Sequence, residues 1–217
     1  MGRAERARWE SNEEVRALLA KTDLTDTERE SLRRYTGRGG LIDTAWAGGQ
    51  FFTPERVGQF IADVLEIPDG AAVLDPQAGV GRLLWPFADH CQVTAVEIDS
   101  TPAEVARRLM PAANVICSSV EDAALVPESF DAVVANPPFG IRPTSPVPWR
   151  GKPKMETWTF AYALRMLRPG GVAAFVVPDG IPATSATSRS ASGSWTTRSS
   201  EASSPCRSPP SRAAEPR

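Results

Sequence analysis

The residues Asn136-Pro137-Pro138-Phe139-Gly140 follow directly on DAVVA, residues 131–135, whose last four side chains are apolar. Each proline fixes φ and supplies no N–H, so the carbonyls at this point are held outside any ladder and are free to accept hydrogen bonds. The Asn136 side-chain oxygen and the Pro137 carbonyl therefore form a pair of acceptors suited to an NH₂ group with two hydrogens to give. Phe139 adds a flat apolar face on which a planar group can stack. A second cluster is LDPQAGVGRLL, residues 74–84. Here Asp75 leaves an apolar run, and Gly79 and Gly81 let the backbone turn tightly and approach a ligand that a Cβ would exclude. The dinucleotide fingerprint is not matched, because Leu84 stands where a third small residue belongs, and no GK[ST] follows for a triphosphate. Glu97 closes the next apolar run, roughly twenty residues beyond the glycines, where an acidic side chain can accept both hydroxyls of a ribose. Asp99 fits better as an acidic helix-start residue. Upstream, Phe51-Phe52-Thr53-Pro54 places Thr53 at an N-cap and Pro54 at the first helical position, and the free N–H groups of such a helix start can hold a carboxylate.

These residues need rigid elements behind them. AAVLD, QVTAVEI, NVIC, DAVVA and GVAAFVV read as five strands buried on both faces, the pattern of a parallel sheet. Intervening helices are expected near 81–88, 102–109 and 154–167. Alternating strand and helix predict a doubly wound α/β sheet with its ligand crevice at the strand C-terminal ends. Asp75, Glu97, the stretch after Cys117, and Asn136 all fall there. Before the sheet, Ser11 with Glu14 and Thr25 with Glu28 each form a capping-box pattern and predict two short helices. A third helix follows Pro54 and turns Val57, Phe60, Ile61, Val64 and Leu65 toward the core. The glycine-rich stretch 35–49 reads as a functional loop or joint.

The chain of 217 residues suffices for one α/β domain with appendages. A net charge of −2 gives none of the global basic excess of a self-sufficient duplex-binding protein. Cys91, Cys117, Cys206 and the single His90 fall in no ligand spacing, so neither a zinc site nor a disulfide framework is expected. Cys91 and Cys117 sit in apolar runs and are expected to be buried thiols. No apolar run reaches membrane-spanning length, which makes a cytoplasmic location the expectation.

Taken together and in this order, the motifs between Phe51 and Gly180 resemble the amino-methyltransferase branch of the class I S-adenosylmethionine-dependent fold. Within it they are most similar to NPPF-type N6-adenine DNA methyltransferases, such as type I restriction-modification methylase subunits and phage or mobile-element adenine methylases. The resemblance implies a Rossmann-like, mostly parallel sheet and S-adenosylmethionine as cofactor. DNA is the implied partner, with sequence recognition supplied by a separate specificity subunit or domain. Its implied catalytic residues are Asn136, Pro137, Pro138 and Phe139, acting on an adenine swung out of the duplex. The implied cofactor residues are Phe52, Thr53, Asp75, Gly79, Gly81 and Glu97, with Asp122 or Ser119 near the cofactor's adenine. Neither a metal nor a membrane is implied. The same NPP-aromatic chemistry also serves cytosine N4, rRNA bases and a protein glutamine amide, and a remnant that only binds cofactor is the reading from another class. Arg38, Arg142, Arg150, Lys152 and Lys154 are candidate phosphate contacts.

The chain departs from that pattern at its C-terminal side. Beyond Ile181 the sequence is rich in Ser, Arg, Pro and Ala, and Trp195 is its only large apolar side chain. Such a segment cannot bury enough surface to offset the entropy of ordering. It is expected to be structureless, and its composition resembles a GC-rich gene read out of frame. The expected division is an N-terminal helical segment over 1–45, a cofactor-binding catalytic domain over 46–181 lacking the fold's last strands, and a low-complexity tail over 182–217. The fifth strand would then be an exposed apolar edge.

Overall fold

A computed structural model of the chain describes residues 3–36, 53–144, 153–177, 186–189 and 195–198. Five strands form one sheet: β1 (Ala72–Asp75), β2 (Gln92–Glu97), β3 (Asn114–Cys117), β4 (Phe130–Ala135) and β5 (Leu167–Phe175). Their spatial order is β3-β2-β1-β4-β5, with every neighbouring pair parallel. The order reverses beside β1, so the crevice outside the C-terminal ends of β1, β2 and β4 is the topological switch point at which such sheets bind ligands. The central strands are apolar because both faces are covered: Val73, Leu74, Val96, Ala132, Val133 and Val134 are all fully buried. β3 departs from the expectation. As the edge strand it has Asn114 and Cys117 exposed and Val115 and Ile116 only half-buried. Cys117 is therefore an exposed thiol and Cys91 a half-buried one, not the two buried thiols expected.

Helices α1 (Arg3–Leu19), α2 (Asp26–Ser31), α3 (Glu55–Leu65), α4 (Ser100–Leu109) and α5 (Met155–Met166) surround the sheet. The Thr25/Glu28 capping box opens α2 as expected, with both reciprocal bonds made. Ser11 caps nothing, because α1 runs through it without a break. Its neighbour Asn12 is fully buried and accepts from the Thr36 N–H at 2.9 Å. Val15, Leu18, Leu32 and Tyr35 pack on Val80 beside the glycine loop and on Val105 of α4, so the N-terminal helices form a buttress behind the crevice.

The helix expected over 81–88 is absent. A turn at Gly81 (φ +83°) and a 3-10 turn at Trp85–Phe87 containing Pro86 take its place. The positive φ at Gly81 and the missing N–H of Pro86 both oppose an α-helix there. On α3, Ile61 is buried and Val57 and Leu65 are half-buried, while Phe60 and Val64 are 63% and 58% exposed, so the core-facing stripe is narrower than the spacing suggested.

α3 lies so close to the glycine loop that a Cβ on Gly58 would sit 2.4 Å from the Arg82 carbonyl oxygen. A helix-interior Gly→Ala exchange ordinarily gains about 0.5–1 kcal/mol. At Gly58 the clash is with backbone, and Gly58→Ala is expected to lower the melting temperature. A calorimetric Tm at or above that of the unmodified chain would contradict this packing.

Part of the C-terminal segment expected to be structureless forms an antiparallel ribbon, β6 (Ala186–Arg189) with β7 (Trp195–Arg198). It is a sheet of its own, not hydrogen-bonded to β5, although the β6 backbone lies near β5.

Candidate active site

The crevice at the switch point encloses about 310 Å³, within the range of small-molecule sites. Asp75 and Glu97, at the ends of β1 and β2, share its wall with the glycine loop. Positive φ at Gly79 (+57°) and Gly81 (+83°) carries that loop around, and a Cβ on Gly81 would meet the Met110 side chain at 2.4 Å. The Glu97 carboxylate ties the turn together: Oε2 accepts from the Gly79 N–H at 2.8 Å and Oε1 from the Asp99 N–H at 2.8 Å. Asp75 Oδ1 accepts from the Gln77 N–H at 3.0 Å, and Gln77 Oε1 accepts in turn from the Thr159 hydroxyl of α5 at 2.9 Å.

Both carboxylates are buried, at 1% and 8% exposure. Burial pushes Asp75 up to about 7, with the charge of Glu97 adding to the rise. It also raises Glu97 above the usual carboxylate range, against the opposing pull of the Asp99 and Gly79 N–H groups. At these two carboxylates the folded state binds more protons than the unfolded chain between about pH 4 and 7, and the stability they contribute falls as pH rises through that window. At about 1.4 kcal/mol per pKa unit, the Asp75 contribution is on the order of 4 kcal/mol. Asp75→Asn is expected to flatten the decline in urea midpoint between pH 5 and 7.5. An unchanged slope would mean that Asp75 does not hold its proton.

The NPPF motif directly follows β4. Asn136 and Pro138 line the cavity, whereas Pro137 is buried and Phe139 is half-buried away from the lining. The turn closes at Gly140 (φ +77°), whose N–H donates to the buried Glu156 of α5 at 3.3 Å. Thr53 is not the N-cap of α3. Pro54 takes that position without a side-chain cap, and the Thr53 hydroxyl instead accepts from Asn136 Nδ2 at 2.9 Å. The two motifs, 83 residues apart in sequence, thus meet on the cavity wall.

After β3, Ser118, Ser119, Val120 and Glu121 line the cavity, and Asp122 does not. The Asp122 carboxylate turns back to accept from the Ser119 hydroxyl at 2.7 Å. Arg142 reaches the lining, and Lys154 lies at the start of α5. Phe51, Phe52, Arg38, Arg150 and Lys152 lie outside the described residues.

Sequence reasoning passed over Arg82, which also lines the cavity. Its guanidinium donates to the carbonyls of Arg33 at 2.9 Å, Tyr35 at 3.0 Å and Thr53 at 3.3 Å, tying the N-terminal buttress and the Thr53 segment to the glycine loop. An arginine directly after a glycine turn was the one available signal. Glu121 makes a contact that the sequence does not show: its carboxylate accepts from the Thr144 N–H at 2.9 Å and so links the loop after β3 to the segment after the NPPF turn.

A parallel sheet in the order 3-2-1-4-5, with a glycine turn after β1 and an acidic residue ending β2, is the class I methyltransferase fold. Two solved structures share it across most of this chain. A Listeria monocytogenes protein assigned to the class I S-adenosylmethionine-dependent methyltransferases superposes with a TM-score of 0.57 at 18% identity, over 83% of this chain and 68% of the other. A Vibrio vulnificus protein assigned as a type I restriction enzyme modification subunit gives 0.56 at 21% identity, over 74% and 41%.

In sequence, residues 42–105 match the N-6 DNA Methylase family and residues 74–139 match the Methyltransferase domain family. Defense against restriction protein B of Escherichia phage P1 is 28% identical over 188 residues, covering 82% of this chain and 8% of the phage protein. Type II methyltransferase M.TthHB8I of Thermus thermophilus is 29% identical over 154 residues, covering 60% of this chain and 34% of the enzyme. The chain therefore spans only a small part of either relative. The resemblance to N6-adenine DNA methylases read from the motifs accordingly holds in the family matches as well. Among the described residues, no helix is long and apolar enough to cross a membrane.

Proposed function

We propose that this chain transfers a methyl group from S-adenosylmethionine to the N6 amino group of adenine in DNA. The observation that carries the reading is one cavity walled by Asn136 and Pro138 on one side and by Asp75, Glu97 and the glycine turn on the other. The residues present fit that cofactor. Two buried carboxylates in a mainly apolar pocket suit a ligand with hydroxyls and positive charge, and the glycine turn leaves room for close approach. Glu97 would accept the ribose hydroxyls, Asp75 and the glycine turn would border the methionine end, and Thr53 with the start of α3 would face its carboxylate. When bound, the cofactor supplies an electrophilic methyl group on a sulfonium.

The chain's own residues prepare the acceptor. An exocyclic amine conjugated with its ring is planar and weakly nucleophilic. With one hydrogen held by the Asn136 side-chain oxygen and the other by the Pro137 carbonyl, the nitrogen is drawn toward tetrahedral geometry and its lone pair is turned to the cofactor side. Attack needs no strong base beforehand. The proton leaves the methylated, cationic nitrogen afterwards, through the same acceptors to water. Reaching a base inside duplex DNA requires swinging it out, and Phe139, next to the cavity-lining Pro138, is assigned to stack against it.

Residues 46–181 are the catalytic unit, and the helices within 3–36 contribute its buttress. With an overall charge of −2, DNA recognition falls to a separate specificity subunit or domain, in the cytoplasm where the chromosome lies. Expression in a methylation-free bacterial host followed by methylome sequencing tests the proposal. N6-methyladenine at a defined motif is the expected result. Calorimetric cofactor binding with an unmodified methylome would identify a binding remnant instead.

A further inference from the structure

The amide of Asn136 has two chemically opposite ends, and only one presentation can accept from an amine. Turned the wrong way, the side chain would offer N–H donors to a group that itself donates, which is repulsive. In this structure Nδ2 donates to the Thr53 hydroxyl at 2.9 Å. Thr53 is 9% exposed and is anchored independently of β4, since its carbonyl accepts from Arg82, which is held in turn on the carbonyls of Arg33 and Tyr35. A threonine hydroxyl can accept one bond while donating its own proton elsewhere, so this contact leaves its donor capacity for a ligand.

We infer that Thr53 is a positioning residue for Asn136: by engaging Nδ2 it commits the side-chain oxygen to the amine-accepting role. This rests on the reading that Asn136 acts on a target amine, and it adds to Thr53 a function beyond bordering the cofactor. Because Thr53 touches both the Asn136 amide and the cofactor end of the cavity, the same hydroxyl links the filling of one half of the site to the geometry of the other.

The chain has three asparagines, Asn12, Asn114 and Asn136, so selective ¹⁵N-asparagine labelling gives three side-chain amide pairs, two of them internal controls. In the cofactor-free chain, the Asn136 Nδ2 protons are expected to exchange with water slowly. The exchange should accelerate in Thr53→Val, which keeps the shape and removes the hydroxyl, and return in Thr53→Ser, while Asn12 and Asn114 stay constant. Should the valine variant fold poorly, as the control amides would reveal, Thr53→Ala serves in its place. Equal Asn136 exchange in all variants overturns the inference.

Turnover supplies the second arm. At saturating cofactor, kcat of Thr53→Val is expected to fall at least about tenfold, the loss attending a misplaced reacting group, with most of it recovered in Thr53→Ser. Full recovery of kcat on raising the cofactor concentration would mean that the hydroxyl serves only the cofactor, which also overturns the inference. If the unmodified chain methylates no nucleic acid, the functional proposal fails, while the exchange arm still decides whether Thr53 sets the Asn136 amide.

Discussion

Asn136→Ala is expected to lower kcat for methyl transfer by about a hundredfold to a thousandfold or more, with cofactor affinity within a factor of three. The magnitude is that of removing one preorganised group which acts only as the reaction proceeds. The asymmetry follows from placement. Asn136 directly follows β4 and its Nδ2 donates to Thr53, whereas the carboxylates proposed to hold the cofactor belong to β1 and β2. Single-turnover methyl transfer and calorimetric titration of the same preparation check both halves. Unchanged turnover would remove the basis of the mechanism, and a parallel loss of cofactor affinity would place Asn136 on the cofactor side.

Glu97→Ala is expected to do the reverse, weakening cofactor binding about a hundredfold or more. Hydrogen bonds to a charged acceptor contribute about 1.5–3 kcal/mol each, and two ribose hydroxyls would lose theirs together. The structure adds a second source of loss, because the same carboxylate holds the Gly79 and Asp99 N–H groups and thereby shapes the turn that receives the cofactor. Glu97→Gln separates the two: it keeps one acceptor oxygen for either role but carries no charge, and should fall between the parent and the alanine variant. Calorimetry of the three proteins measures the series. Affinity in Glu97→Ala within threefold of the parent would mean that the ribose lies elsewhere.

The parts of the molecule that could be read from sequence are those in which a local pattern has one stable outcome. The apolar runs ending at Asp75, Glu97 and Ala135 admit little but buried parallel strands, and the positions at their C-terminal ends then share a crevice by topology alone. The Thr25/Glu28 box is local in the same sense. Misreadings arose where a local pattern was overridden from a distance. Ser11 fits a cap, yet α1 continues through it, and Asn12 is spent on Thr36. Residues 81–88 follow a strand as a helix should, but Gly81 and Pro86 shape them into turns. Thr53 precedes a proline at a helix start, the local signature of a cap, and its hydroxyl is instead engaged by Asn136, 83 residues away in sequence. The Arg82 contacts with three carbonyls from two distant segments leave no periodic trace in the sequence. For Asp122, chemical type pointed to the pocket, while the chain after β3 turns its carboxylate onto Ser119 and leaves Ser119 on the cavity wall.

Methylation of adenine N6 in DNA can be read out by tritium transfer from labelled cofactor. The purified chain is offered DNA whose only amino base is adenine, DNA in which it is cytosine, ribosomal RNA, and a release-factor protein, with the products resolved as nucleosides or amino acids. Label is expected in the adenine-containing DNA, co-migrating with N6-methyl-2′-deoxyadenosine and lost in Asn136→Ala. Label confined to cytosine, RNA or protein would contradict it.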